Sequence, residues 1–235
     1  MLEMNLLTFL GVGFVLGLRH ALDADHLAAV STVLAERPSM RASGLVGLWW
    51  GLGHTLTLLL VGTVVLVSGV QVPEPLAVLA ECGVGALLVL LGGTLAVKLY
   101  RERWHVHSHL HDGEPHVHLH SHQRQDDHVH AHWTARSLRP LLIGMAHGIA
   151  GSAALMLVIL SNTSGIGQGL LYIAVFGIGS IFGMIAIGLT LSLPVMWSLA
   201  AGRRAFVAVQ GTASLGSVCL GLWMLYKLVL SPGSF

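Results

Sequence analysis

Six stretches of this chain, roughly residues 6–34, 44–70, 75–100, 138–160, 168–196 and 206–230, are nearly unbroken runs of apolar residues and glycine. A helix that crosses a bilayer needs about 20 such residues. In hydrocarbon every backbone amide must be satisfied within the segment, so runs of this kind can only be helices. Only 10% of the residues are charged and 54% are hydrophobic, against roughly a quarter charged in a soluble domain. The expected fold is an all-α integral membrane protein of six transmembrane helices. Cys82 and Cys219 lie inside apolar runs, as small buried hydrophobes do, and form no disulfide framework. The stretch Met1-Leu2-Glu3-Met4-Asn5 has no basic residue, so the first run reads as a retained helix and not a signal peptide. A net charge of +1 offers no electrostatic footprint for nucleic acid.

One segment breaks the apolar rule. Arg19-His20-Ala21-Leu22-Asp23-Ala24-Asp25-His26 sits near the middle of the first run. Ionisable groups at bilayer depth cost a few kcal/mol each and persist mostly where they face a cavity, a partner or a substrate. Imidazole with carboxylate is a ligand set for divalent transition metals. At about 100° per residue, His20, Asp23 and His26 fall in one arc of about 120°, while Asp25 falls outside it. Either Asp25 has another partner, Arg19 or a residue on a second helix, or the helix unwinds here, as backbone lining a cavity can. The first run is also long for one span, which fits a tilted or partly unwound helix. His54 and His147 are the other histidines inside apolar runs. The expected metal site is His20, Asp23, Asp25, His26, His54 and His147, with the carboxylates either ligating directly or orienting imidazoles from behind. The plain alternative is an internal hydrogen-bonded network.

The loops assign a side. Arg37 and Arg41 follow the first run, Lys98, Arg101, Arg103, Arg124, Arg136 and Arg139 surround the third connection, and Arg203 and Arg204 separate the last two runs. Residues 71–74 and 161–167 contain no Lys or Arg. Cytoplasmic loops carry the excess of Lys and Arg, so the basic side is expected inside and both termini outside, in a multi-pass protein of the cell membrane.

The halves resemble each other. Gly17-Leu18-Arg19-His20 aligns with Gly144-Met145-Ala146-His147, and Trp50-Gly51-Leu52-Gly53-His54 with Phe176-Gly177-Ile178-Gly179-Ser180. Gly62 falls on Gly188, Glu81 on Gln210, Gly92 on Gly221 and Lys98 on Lys227, at offsets of 126 to 129 residues. Three helices per half is an odd number, so the second half would enter the membrane upside down. Two inverted three-helix repeats, residues 1–100 and 138–235, are therefore expected, with a substrate site between them near the midplane.

Residues 101–137 form a polar segment of another kind. His105, His107, His109 and His111 alternate with other residues, as do His116, His118, His120 and His122, and then His128, His130 and His132. Tracts of this composition bind transition metals. By orientation the segment is a cytoplasmic, auxiliary metal-binding loop, with little fixed structure expected without metal.

His20-x4-Asp25-His26, together with Leu52-Gly53-His54-Thr55, resembles the signature of the nickel/cobalt transporter family. Gly144-Met145-Ala146-His147-Gly148-Ile149-Ala150-Gly151-Ser152 and the short chain are more similar to its compact six-span branch, the urease-accessory-type nickel permeases. The resemblance implies a transporter of Ni²⁺ first and Co²⁺ second, taken as substrate with no permanent cofactor, and not an enzyme. A cytoplasmic metallochaperone or metalloenzyme maturation factor would be its partner beside the lipid bilayer. The larger permeases have acidic second-half motifs, whereas residues 138–230 contain no Asp or Glu. The His-rich loop also resembles that of efflux members of the wider family. The rival readings are a zinc transporter of another family, an intramembrane metalloenzyme using a metal-bound water, and a haem carrier.

Overall fold

The computed structural model describes residues 6–36, 39–101, 105–111, 114–120, 133–163 and 165–230. Seven helices appear among them: α1 (Leu6–His20), α2 (Ala24–Ala35), α3 (Met40–Ser68), α4 (Glu74–Arg101), α5 (Trp133–Asn162), α6 (Ile166–Ala200) and α7 (Arg203–Leu230). By length and composition α3, α4, α6 and the Arg203–Leu228 part of α7 can each cross a membrane, and α1 with α2 makes a fifth span if the bent pair is one.

The first apolar run is broken where its charged residues lie. α1 ends at His20, α2 begins at Ala24, and the two axes differ by 53°. Leu22 N–H donates to the Arg19 carbonyl at 2.9 Å and Asp23 N–H to the His20 carbonyl at 3.1 Å, tightening the last turn of α1. Asp23 then takes the N-cap position of α2 with extended backbone, φ −61° and ψ 145°. Aspartate is a preferred N-cap because its carboxylate can accept from a free helical N–H. Here it makes no such bond, and that oxygen is available for the site described below. The unwound alternative raised by the position of Asp25 is the observed one.

Glycine brings the other helices close. A Cβ at Gly17 would collide with the Phe176 carbonyl, and one at Gly144 with the Trp50 carbonyl. A Cβ at Gly53 would meet the Leu141 carbonyl, and one at Gly179 the Phe14 carbonyl. These contacts seat α1 against α6 and α5 against α3, while α3 and α6 cross between them. α4 pairs with α7, where Ser217 Oγ donates to the Leu88 carbonyl at 2.9 Å and Ser214 Oγ to the Gly92 carbonyl at 2.8 Å. Small residues and hydroxyls at helix crossings are the usual adhesive where hydrophobicity offers no drive between helices. The buried apolar cluster formed by Val30, Trp50, Leu88, Ile143 and Met184 ties α2 to these crossings.

The C-terminal end of α2 gathers with the N-terminal halves of α5 and α7. Arg139 Nη1 donates to Glu36 Oε2 at 2.9 Å, and Gln210 Nε2 donates to the Ala35 carbonyl at 2.6 Å. The basic ends of the helices thus share one end of the bundle.

The His-rich segment is not wholly unstructured. Two strands, β1 (His105–His111) and β2 (Glu114–His120), pair antiparallel with His105 opposite His120, His107 opposite His118 and His109 opposite His116. The expectation of little fixed structure is corrected for these residues: strict alternation is the period of a strand, and here the two alternating runs pair as a hairpin. His122, His128, His130 and His132 lie outside the described residues.

Candidate metal centre

The broken span delivers its polar residues to one point. Ending α1 at His20 and restarting at Asp23 turns both histidines of the octapeptide toward α3, so that the His20 and His26 rings lie 4.9 Å apart, centroid to centroid. His54 on α3 completes a triangle, 5.0 Å from His20 and 5.3 Å from His26. One ligating nitrogen from each of these three imidazoles lies within 4.8 Å of the others. Asp23, Asp25 and His26 form a second group of the same compactness. His26 belongs to both.

Each imidazole is presented differently. His20 Nδ1 bonds Asp23 Oδ2 at 2.7 Å, and His26 Nδ1 lies 3.3 Å from Asp25 Oδ1. His147 Nδ1 donates to the Ile143 carbonyl at 2.9 Å. A ring held through Nδ1 by an acceptor has its proton there and its Nε2 lone pair free, which is how metal-ligating histidines are commonly oriented. His26 Nε2 and His147 Nε2 are buried without a hydrogen-bond partner, as are both nitrogens of His54. An unsatisfied buried polar atom costs about 1–3 kcal/mol, so a cation at this point would relieve several penalties at once.

The helix ends add to the field. The last carbonyls of α1 carry partial negative charge and the first amides of α2 partial positive charge. The latter stabilise the Asp23 and Asp25 carboxylates at the start of α2.

Burial grades the cluster. Asp23 is 52% exposed, Asp25 25%, His20 20% and His26 2%, and His54 is wholly buried. The carboxylate group therefore lies toward a cavity and the imidazole group behind it. His147 stands next to this trio: its ring is 5.2 Å from His26 and 5.1 Å from the Trp50 indole. It is in the same cluster of rings but outside the closely converging triad.

Three residues at the site were not among the expected ligands. Gly151 forms its wall: a Cβ there would sit 3.4 Å from His20 Nε2 and 3.9 Å from His54 Cε1. Trp50 covers His147, and Phe176 stacks 5.5 Å from His20. Helical spacing carries their signal. Gly151 lies one turn after His147, and Trp50 one turn before His54. Phe176 aligns with Trp50 across the two halves.

The chain is similar to known proteins along most of its length. The family described as "NicO: High-affinity nickel-transport protein" matches residues 6–207. The chain belongs to the NicO family. Over 99% of its length it is 33% identical to "Urease accessory protein UreH" of Bacillus sp. (strain TB-90), covering 97% of that protein. It is also 37% identical over 90 residues to "High-affinity nickel transport protein" of Cupriavidus necator, a match spanning 38% of this chain and 24% of that one. A third relative, "Hydrogenase nickel incorporation protein HupN" of Bradyrhizobium diazoefficiens, is 33% identical over 102 residues, 40% of this chain and 26% of the relative. No solved structure matches. NicO is a nickel-transport family and not an enzyme family, and the several apolar helices fit a multi-pass membrane protein. The metalloenzyme and haem readings therefore fall away, as does a zinc transporter of another family.

Proposed function

We propose that this chain carries Ni²⁺, and Co²⁺ as second choice, across the membrane through a site made of His20, Asp23, Asp25, His26 and His54, with His147 beside it. The observation that supports this most directly is the convergence of three imidazoles at the break of the first span, with His26 Nε2 and both His54 nitrogens lacking a partner. Neutral imidazole suits nickel and cobalt, and carboxylate suits an ion still partly hydrated. The exposed Asp23–Asp25–His26 group receives the ion, and His26, common to both groups, passes it to His20 and His54. Binding competes with protonation of these ligands, so flux should fall as the medium is acidified.

Six spans in two inverted halves are part of this reading. The glycine contacts support it. Gly17 on Phe176 and Gly144 on Trp50 are the same contact between aligned residues, and so are Gly53 on Leu141 and Gly179 on Phe14. Rocking one half against the other would expose the site to each face in turn. The basic end, where Arg139 meets Glu36, is the cytoplasmic end, and the 105–120 hairpin lies on that side. Its cross-strand histidine register suits an auxiliary reservoir that hands ions to, or takes them from, the pathway. The relatives' names link them to urease and hydrogenase, so a nickel-dependent maturation factor is the partner to test at that loop.

Equilibrium binding of radioactive nickel tests the site. The purified chain with residues 105–132 deleted should bind one Ni²⁺ and keep measurable flux in vesicles, while the intact chain binds additional ions. Loss of all binding on deletion would move the essential ligands into the loop. Asp25→Asn keeps every imidazole but weakens the hold on His26 Nδ1. Its nickel Kd should rise about 10–100-fold, as for other orienting partners of metal ligands. An unchanged Kd would remove Asp25 from the site.

A further inference from the structure

A cavity of about 600 Å³ lies against the site. His20, Asp23 and Asp25 form one wall, and Glu81 on α4 and Trp223 and Lys227 on α7 line the other. Glu81 and Lys227 are the charged side chains of this cavity that the site above does not use. Both belong to regular stripes. Glu81 continues the buried α4 series Val84, Leu88, Leu91 and Leu95, and Lys227 lies one turn from the cavity-lining Met224. Glu81 lies seven residues inside the start of α4, and Lys227 three residues before the end of α7. The chamber therefore sits toward the end of the bundle opposite the Glu36–Arg139 contact, the outer end in the proposed orientation. Glu81, Lys227 and Asp25 line the same chamber, which sets one basic group among acidic ones.

The charges in this chamber match a particular guest. Three carboxyl side chains against one amine leave the chamber with a surplus of two acidic groups, the complement of one divalent cation. At about 30 Å³ per water, the space holds on the order of 20 waters, enough for an ion with its hydration shell intact. A low-dielectric cleft lined with one net sign concentrates counter-ions and raises their rate of capture, by 10-fold or more.

We infer that Glu81 is a capture carboxylate for hydrated divalent cations arriving from the outer end, and that Lys227 is its resting counter-ion, released when a cation takes its place. The inference rests on the transport reading above. Empty, the chamber keeps Glu81 neutralised by Lys227 and spares it from repelling Asp25. A divalent ion bridges Glu81 and the Asp23–Asp25 pair, sheds water there, and moves to the imidazoles. Lys227 thereby disfavours monovalent ions, whose single charge competes poorly with a tethered ammonium.

Initial rates of radioactive nickel uptake into proteoliposomes test this. Glu81→Gln should raise KM about tenfold with Vmax within about twofold, and added KCl should raise its KM less than that of wild type. Glu81→Asp should keep KM near wild type. Lys227→Gln should lower KM. The double variant Glu81→Gln/Lys227→Gln separates capture from a structural ion pair. If Glu81 captures ions, the double variant keeps a KM well above that of Lys227→Gln. If Glu81 only neutralises Lys227 inside the bundle, removing Glu81 has no effect once Lys227 is gone, and the double variant matches the KM of Lys227→Gln, which overturns the inference. An unchanged or raised KM in Lys227→Gln overturns it too, whether or not Glu81→Gln folds. Wild-type vesicles without nickel flux would sink the transport reading itself, whereas normal wild-type flux with an indifferent Glu81→Gln would sink this inference alone.

Discussion

Gly151→Leu should abolish nickel binding and flux without removing a single candidate ligand. The position is graded by size. A Cβ at Gly151 meets His20 at 3.4 Å, an ordinary van der Waals distance, so Gly151→Ala should fold and retain much of its activity. Leucine adds three carbons pointing into the space that His20 and His54 share. The ion would have to displace a side chain from a packed site, where overfilling costs about 1–3 kcal/mol before any coordination is lost. The expected result is at least a hundredfold loss of nickel affinity in Gly151→Leu and less than tenfold in Gly151→Ala. Both should be read by equilibrium binding, with monodispersity in detergent as the folding control. Equal, mild effects in the two variants would mean that the ion sits elsewhere.

The second large effect is on the fold. Gly17→Leu and Gly144→Leu should each prevent assembly of the bundle. The first drives a side chain into the Phe176 carbonyl and the second into the Trp50 carbonyl. Neither neighbour can yield, since backbone inside a helix cannot shift alone. Forcing α1 from α6 also pulls His20 off Phe176, and forcing α5 from α3 pulls His147 off Trp50. Because the two contacts are aligned across the halves, the two variants should lose thermal stability and monodisperse yield to a similar degree. Tolerance at one position and collapse at the other would argue against equivalent halves.

Much of the candidate site's composition was legible before any coordinates. Polar residues in an apolar run cannot be incidental at bilayer depth, and that singled out the octapeptide and His54. The position of Asp25 on a helical wheel left two readings open, another partner for Asp25 or a break in the helix, and the bend between His20 and Ala24 decides for the break. The alternation of histidines from His105 carried the strand period, although the pairing of β1 with β2 did not follow from it. What stayed hidden depends on distances between helices. Sequence could not decide whether Asp23 and Asp25 touch the ion or hold His20 and His26 through Nδ1, because that turns on a few tenths of an ångström. Nor could it rank His147, which aligns with His20 yet lies beside Trp50 at the margin of the triad. Gly151 was visible only as a member of the motif at residues 144–152, because its contribution to the site is the absence of a side chain. Glu81 and Lys227 looked like marks of a repeat, and only the cavity between α4 and α7 sets them opposite Asp25.

His26 is the residue on which the account depends, since it belongs to both the carboxylate and the imidazole group. The decisive measurement is radioactive nickel flux in proteoliposomes of known orientation, wild type against His26→Ala, under an imposed pH gradient. The account predicts robust flux in wild type and at least a hundredfold less in the variant at equal folded protein, with the sidedness of the gradient response giving the direction of transport. Undiminished flux through His26→Ala would contradict it.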